Sequence, residues 1–360
     1  MLAKICTQKQ FMDELDRMNT HEGEDLEVGK PPDLKSYILE TNKPLAKQYV
    51  INDTCISIED TGLEHVKILV AKRETGPPAH YYLDRTDRRF LVLHTNDQVT
   101  ITDPIIKKII TSDKHQFDSA WLHTDMLKLI AKSFGNRPLG YGVRYEDIFK
   151  TDDSPIDPRT DLKIDVSGAI SGKILELIQG HSDIKPMIGY EKVFINRGTP
   201  HDGVLETLEY SGRFRLVRGN SIDEHMSLIT HVTKMYRETV EAVENKRIRA
   251  RGTQAGFSIE GNSFTFEFER DIEDWNRLLP KIFNSKEPFR IWGLRTDAGD
   301  GVQKILCVDM HTGDQLDVEV GDGMMRVFLP YPACGNVVLR LYTNLQRYLD
   351  ANMKCTQLGA

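Results

Sequence analysis

Nowhere in this chain do apolar residues run together for anything near 18 positions, so no segment reads as a membrane-spanning helix. Cysteine is scarce. Cys6, Cys55, Cys307, Cys334 and Cys355 are an odd set of five in 360 residues with no CxxC pair, which argues for reduced thiols and against a disulfide framework. An excess of positive charge is missing as well. Lys and Arg number 47 against 54 Asp and Glu, and the net charge of −7 removes the basic field that broad, non-specific attraction to nucleic acid needs. The opening "MLAKICTQKQFMDELDRMN" carries a charge every few residues and lacks the apolar stretch of a signal peptide. The expectation is a soluble, cytoplasmic protein. Its 39% hydrophobic content is enough for packed interiors, and its length suits two domains.

What is present is pattern. Phe11, Leu15 and Met18 predict a helix over 7–19, followed by an acidic, Gly- and Pro-containing loop. Residues 49–95 alternate as strands, with "RETGPPAH" a loop between "HVKILVAKR" and "RRFLVLHT". Helices are expected near 103–111 and over 117–133, the latter with Trp121, Met126, Leu127 and Ile130 on one face. The polar, twice-proline stretch 151–161 reads as a linker between an N-terminal domain of residues 1–150 and a C-terminal domain of residues 162–360. Three strand pairs, around Ser211-Gly212, Gly261-Asn262 and Gly321-Asp322-Gly323, each precede a helical stretch. The predicted class is α+β, its C-terminal half built mainly of antiparallel hairpins each followed by a helix, the three pairs together making six strands of sheet.

"KIDVSGAISGKILELI" at 163–178 mimics a strand, phosphate loop and helix. A Walker loop needs four residues between its first Gly and the Gly-Lys pair, then Ser or Thr for magnesium; here Gly168 and Gly172-Lys173 are three apart and Ile174 follows. Asp309, ending the strand "KILCVDM", could organise magnesium, but "HTGDQLDVEV" after it reads as a hairpin turn. No nucleotide, metal or other cofactor is expected. Eleven histidines include no HExxH and no i,i+4 pair; His225 and His231 are six apart on one helix, and surface or polar-rim positions are the expectation for them.

Two catalytic alternatives remain. Cys334 follows a strand and precedes a helix whose free N–H groups favour a thiolate, and His311 ends another strand, as in a cysteine hydrolase or peptidase. The string Ala333-Cys334-Gly335 resembles the A-C-x-G signature of caspase-like peptidases, but Asn336 stands at the Gly position and His311 is only 23 residues upstream, where those enzymes leave about 50. In the bland reading Cys334 is a packed thiol beside Asn336, which caps the last helix. "DLK" at 161–163 and "DIK" at 183–185 match half of a magnesium nuclease core, with Asp165, Asp183 and Lys185 as its candidates.

The strongest signal is the helix predicted over 221–250. Ser221-x-x-Glu224 forms a capping box, and Ile222, Met226, Ile229, Val232, Met235, Tyr236, Val240 and Val243 return every three or four residues. Such a helix would be about 45 Å long. Either it lies across the sheet, or its far half, Met235, Tyr236, Val240 and Val243, contacts a second subunit or partner protein. Lys246, Arg247, Arg249 and Arg251 at its expected C-terminal end suit the helix dipole and are also candidates for contact with an anion or nucleic acid. The reading is therefore a non-catalytic binding or scaffold subunit of an intracellular protein assembly, or a homo-oligomer, with nucleic acid a weaker partner. From general experience of such chains, and from no residue, prokaryotic accessory systems such as antiviral defence are the setting expected.

Overall fold

Phe11, Leu15 and Met18 share one helical face, and all three are buried on the helix Gln8–Asn19 (α1) of the computed structural model. The structure describes residues 5–19, 34–51, 53–112, 117–134, 140–149, 161–197, 203–219, 221–253, 256–272, 274–297, 299 and 301–358. After α1 come strands Lys35–Glu40 (β1), Gln48–Ile51 (β2), Thr54–Asp60 (β3), Val66–Arg73 (β4), Ala79–Asp84 (β5) and Phe90–Thr95 (β6). Helix Val99–Ser112 (α2), the short strand Asp118–Ser119 (β7) and helix Thr124–Phe134 (α3) precede strands Gly140–Glu146 (β8) and Asp161–Ser167 (β9). Next are helix Ser171–Gln179 (α4), strands Tyr190–Arg197 (β10), Val204–Glu209 (β11) and Arg213–Arg218 (β12), and the long helix Ile222–Asn245 (α5). Strands Arg249–Thr253 (β13), Gly256–Glu260 (β14) and Phe264–Glu267 (β15) lead to helix Trp275–Ile282 (α6). Strands Ile291–Asp297 (β16), Gln303–Asp309 (β17), Gln315–Gly321 (β18) and Met324–Phe328 (β19) and helix Asn336–Tyr348 (α7) complete the order. The class is α+β with antiparallel sheets.

The described chain forms two compact units, each assembled from several segments. One takes Met1–Ala120, Ile130–Pro138 and Phe194–Lys234; the other takes Trp121–Leu129, Leu139–Val193 and Met235–Ala360. Of the stretch 151–161 only Asp161, the first residue of β9, lies within the described residues.

In the first unit the strands run β2-β3-β4-β5-β6-β1-β12-β11, with β10 beyond. β1 and β6 are buried along their whole length, which is why "FLVLHT" reads as a continuous apolar run and not as an alternation. Tyr37, Leu39, Tyr81, Leu83, Leu91 and Leu93 join one core with Ile105, Ile106 and Ile109 of α2. The opposite core holds Leu34, Val66 and Tyr82 with Phe11, Leu15 and Met18 of α1 and Ile222 of α5.

In the second unit a five-stranded sheet runs β15-β19-β18-β17-β16, and β8 pairs with β9. Helix α7 is buried from Asn336 to Arg347 and meets the sheet where Tyr342 packs on Phe266. Arg340 is fully buried. It pairs with the equally buried Asp309 and donates from Nε to the Phe289 carbonyl at 2.9 Å.

Three local expectations are corrected. Residues 117–123 are not helical, because Asp118 and Ser119 pair with Glu40 and Leu39 of β1 and carry the chain past Trp121 in extended form before α3 starts. The strand pair around Gly261-Asn262 does not form: β14 pairs back with β13, and β15 pairs with β19. Each strand finds a different partner, and Gly261 lets the chain pass between them: it adopts φ +108°, and a Cβ there would stand 2.4 Å from the Arg247 carbonyl oxygen, so only glycine fits. The six-stranded sheet of three hairpins is thus absent, although β11–β12 precedes α5 and β18–β19 precedes α7 as expected. Finally, α5 stops at Asn245, about 36 Å of helix and not 45. Ile248 leaves the helical path because its N–H bonds the Leu329 carbonyl at 2.8 Å.

The buried pair carries a prediction. Asp309→Ala leaves the Arg340 guanidinium buried without its carboxylate and should cost about 3–5 kcal/mol, whereas Asp309→Leu combined with Arg340→Met should recover most of that loss. Chemical denaturation of the two variants beside the native chain measures it.

Candidate functional site

Ser36, His94 and His225 come from three elements and meet on one hydroxyl. Ser36 and His94 are direct partners across β1 and β6, so their side chains share a face of the sheet. The Ser36 hydroxyl lies 2.8 Å from His94 Nδ1 and 2.9 Å from His225 Nε2. The other ring nitrogen of His225 bonds the Glu206 carboxylate. Arg197 donates to Glu206 at 3.0 Å and reaches the Glu224 carboxylate at 2.8 Å. Phe11 and Phe214 set ring edges against His94 and His225. A hydroxyl has one proton and two lone pairs, so at least one of the two imidazoles donates to Ser36. Burial, with His225 a smaller contributor, lowers the His94 pKa from 6.5 to about 3.

A serine whose histidine is oriented by a carboxylate is the constellation of acyl-transfer enzymes. Two observations argue against that chemistry. Ser36, His94, Glu206 and His225 are each 0% exposed, so a substrate carbonyl has no route to the hydroxyl. Ser36 also sits inside a strand paired on both sides, with β6 and β12, where backbone amides serve the ladder and cannot form an oxyanion hole. The arrangement fits a structural network that ties the start of α5 to the sheet. It also corrects the expectation that the histidines lie at surfaces and polar rims: His94, His123, His225 and His311 are all buried. No motif could have revealed it, since Glu206 and His225 are 19 residues apart and Ser36 and His225 are 189 apart.

The thiol alternative fares differently at each residue. Cys334 is buried in the turn before α7, and its N–H donates to the Asp314 carboxylate at 2.9 Å. The next amide, Gly335, donates to the Glu244 carboxylate at 3.0 Å. Two carboxylates thus already occupy the helix N-terminus that was expected to favour a thiolate, and they oppose one. Gly335, not Asn336, is the N-cap residue, and Asn336 accepts instead from the Tyr236 hydroxyl. His311 is buried in the tight turn after β17, its N–H bonded to Asp309. Asp309 therefore anchors a turn and Arg340.

The phosphate-loop mimic lies on β9, an antiparallel partner of β8, and α4 begins with Ile170 as a cap that makes no side-chain bond. The nuclease candidates are separate: Asp165 pairs with Lys192 at 3.0 Å, while Lys185 pairs with Glu269. Among the described residues no group of three or more His, Cys, Asp and Glu is arranged to hold a metal ion. Met235 is half-buried, and Tyr236, Val240 and Val243 are buried, so this stripe of α5 is covered within the chain.

The basic segment divides in two. Lys246 bonds the Gln357 carbonyl, and Arg247 donates to the carbonyls of Glu244, Pro332 and Ala333 at 2.8–3.0 Å, so both close off the end of α5. Arg249 and Arg251 lie beyond the helix on β13, in exposed positions. β13 and β14 make a sheet of only two strands, in register Arg249↔Glu260, Ala250↔Ile259, Arg251↔Ser258 and Gly252↔Phe257. Period-two alternation gives this arm two faces: Arg249, Arg251, Ser258 and Glu260 on one, Ala250, Gly252, Phe257 and Ile259 on the other. Phe257 is 84% and Ile259 78% exposed, more than any other large apolar side chain among the described residues. The base of the arm is fixed. Arg249 stacks 4.5 Å from the Tyr331 ring centroid and Arg247 5.1 Å from it, while Tyr331 N–H bonds the Ile248 carbonyl.

The model of the MJECL33-like protein family matches residues 8–358. The chain belongs to that family. A relative within reach of sequence comparison is the uncharacterized protein MJECL33 of Methanocaldococcus jannaschii, 26% identical over 357 residues that cover 88% of this chain and 85% of the relative. No solved structure matches. Among the described residues of this MJECL33-like chain, no helix is long and apolar enough to cross a membrane.

The buried network makes acid sensitivity predictable. The folded state refuses a proton at His94 that the unfolded chain accepts below about pH 6.5. Stability is therefore whole above that pH and falls as the pH drops towards 3; His123, lowered by burial to about 4, acts in the same direction. His94→Asn keeps an N–H donor near the Nδ1 position and removes the titration. The pH dependence of unfolding free energy between 6.5 and 4 should then lose about one proton per molecule, and an unchanged slope would show that His94 is not held neutral.

Proposed function

We propose that this chain is a non-catalytic binding subunit of a larger protein assembly and that the β13–β14 arm is its contact element. The observation that carries the reading is the exposure of Phe257 and Ile259 on a two-stranded sheet. Isolated two-stranded ribbons are marginal in water, and here one face is a run of apolar side chains with no core beneath it. A partner surface removes that cost. The buried Ser36 and the carboxylate-occupied helix end beside Cys334 weaken the enzymatic alternatives. Free thiols at all five cysteines suit the reduced cytoplasm expected for such an assembly.

A second reading is favoured by one specific feature: Arg249 and Arg251 are the two cations of the basic segment that face solvent, so an anionic partner, nucleic acid included, could meet the opposite face of the arm. Salt distinguishes the two. Contact through Phe257 and Ile259 is expected to survive 0.5 M salt, whereas contact through the arginines weakens steeply with it.

The test is to replace Phe257 and Ile259 together by Asp in cells of the source organism. The variant should fold with a thermal midpoint within a few degrees of the native chain, because exposed positions contribute little. It should no longer co-migrate with the native complex in size fractionation of gentle extracts. Co-migration unchanged by the substitution would remove the arm from the assembly. Thiol labelling addresses the alternative: at pH 7 exposed Cys6 should react well before buried Cys334, and selective modification of Cys334 at pH 6, lost on His311→Ala, would restore the hydrolase.

A further inference from the structure

The arm has two outer edges, and they differ in what they would do to a copy of themselves. No other described strand pairs with either edge of the β13–β14 ribbon. An unpaired edge is a template for a further strand, and the easiest to supply is the same strand from a second molecule, related by a two-fold axis. Antiparallel self-pairing of β13 brings cations together wherever the strands overlap by more than three residues about a central register. Centred on Ala250 it sets Arg249 against Arg251 of the other copy, and centred on Arg251 it sets that residue against itself; centred on Gly252 it sets Arg251 against Thr253, but only residues 251–253 then overlap. Like charges directly opposite are destabilising, so β13 is guarded against its own copy.

β14 has no such guard. Its sequence is Gly256-Phe257-Ser258-Ile259-Glu260, with its single charge at one end. Centred on Ser258, antiparallel self-pairing sets Phe257 opposite Ile259 of the other copy, twice, and Glu260 opposite Gly256. Directly opposite residues point to the same face, so the two phenylalanines and two isoleucines form one apolar cluster. The arginines of β13 stay on the outer strands of the resulting four-stranded sheet. With neighbouring strands about 4.8 Å apart, they are separated across the junction by roughly 14 Å. The aromatic and β-branched residues that are most exposed among the described residues are thus the ones that this single register matches with each other.

We infer that two copies of this chain pair antiparallel through the outer edge of β14, with Ser258 at the two-fold axis and Phe257 packed against Ile259 of the partner subunit. The occupant of the arm's edge is therefore a second copy. The inference rests on the arm being a contact element, as proposed above, and names what it contacts first.

Light scattering on the purified full-length chain should give twice its 41.1 kDa mass at micromolar concentration. Phe257→Asp places carboxylates beside the partner's apolar cluster and should raise the dimer dissociation constant about a hundredfold or more. In a Cys6→Ser background, Ser258→Cys should give a disulfide-linked dimer on mild oxidation, because the two Cα atoms stand about 4.5–5.5 Å apart in such a pair. Ala250→Cys, on the outer strand, should not. A monomeric native chain, a dimer indifferent to Phe257→Asp, or cross-linking at Ala250 in place of Ser258 overturns the inference. If the native chain is monomeric and the Phe257 and Ile259 substitutions still release it from its complex in cells, only self-pairing fails; if they release nothing, the binding reading fails with it.

Discussion

A carboxylate taken out of water has to be answered where it stands, and in each compact unit of this chain one such group ties a helix to the sheet. Glu206, fully buried on β11, is met by Arg197 from the neighbouring strand and by His225 from α5. Asp309, at the end of β17, is met by Arg340 of α7 and by the amides of its own turn. Leaving either charge alone would cost several kcal/mol, a large share of the net stability of a domain. The helices are therefore fixed in rotation as well as in position. With His225 turned to Glu206, Ile222, Ile229 and Val232 must face the sheet, and they are buried. With Arg340 turned to Asp309, Val337, Leu341 and Leu345 go inward on the same side or the adjacent one.

The same reasoning explains why polar residues that resemble catalytic groups are sited where they are. His225 between a carboxylate and a hydroxyl completes the accounting of a buried acid, and Ser36 and His94 extend it until the chain of donors and acceptors runs out. Similarly, Asp314 and Glu244 take up the amides before α7 that a thiolate at Cys334 would otherwise have used. Contrast at the sheet edges points the other way. β9 carries Asp161, Lys163 and Asp165 along an alternating, half-exposed strand, the usual protection of an edge by charge. β14, equally exposed, carries Phe257 and Ile259 in those positions.

Much of the local architecture was legible. The spacing of Phe11, Leu15 and Met18 gave α1, the runs "HVKILVAKR" and "RRFLVLHT" are β4 and β6 although β5 starts inside the loop expected at "RETGPPAH", and the N–H of Glu224 does bond the Ser221 hydroxyl at the start of α5. The antiparallel character of the second half followed from Gly-containing turns such as Asp322-Gly323, both at positive φ. The reading failed where a long-range partner overrode a local preference. Residues 117–123 have helical periodicity, yet Asp118 and Ser119 among them pair with β1, and residues 246–251 continue a helical charge pattern yet are drawn out by Leu329 and Tyr331. The strands on either side of Gly261 look like one hairpin, but β14 pairs with β13 and β15 with the distant β19.

The sequence by itself determined most of the helices and strands, that the chain carries no Walker loop and no histidine motif for zinc, and that the sheets of its second half are antiparallel. All of these depend on residues within about a dozen positions of each other, where periodicity and turn chemistry act directly. Only the tertiary structure decided that the apolar stripe of α5 is covered, that four histidines are buried, and that the most exposed large apolar side chains among the described residues are Phe257 and Ile259 on a separate ribbon. Those outcomes turn on which strand lies beside which. That choice is made by burying charge and apolar surface across separations of up to 222 residues, and it leaves no mark in the spacing of neighbours along the chain.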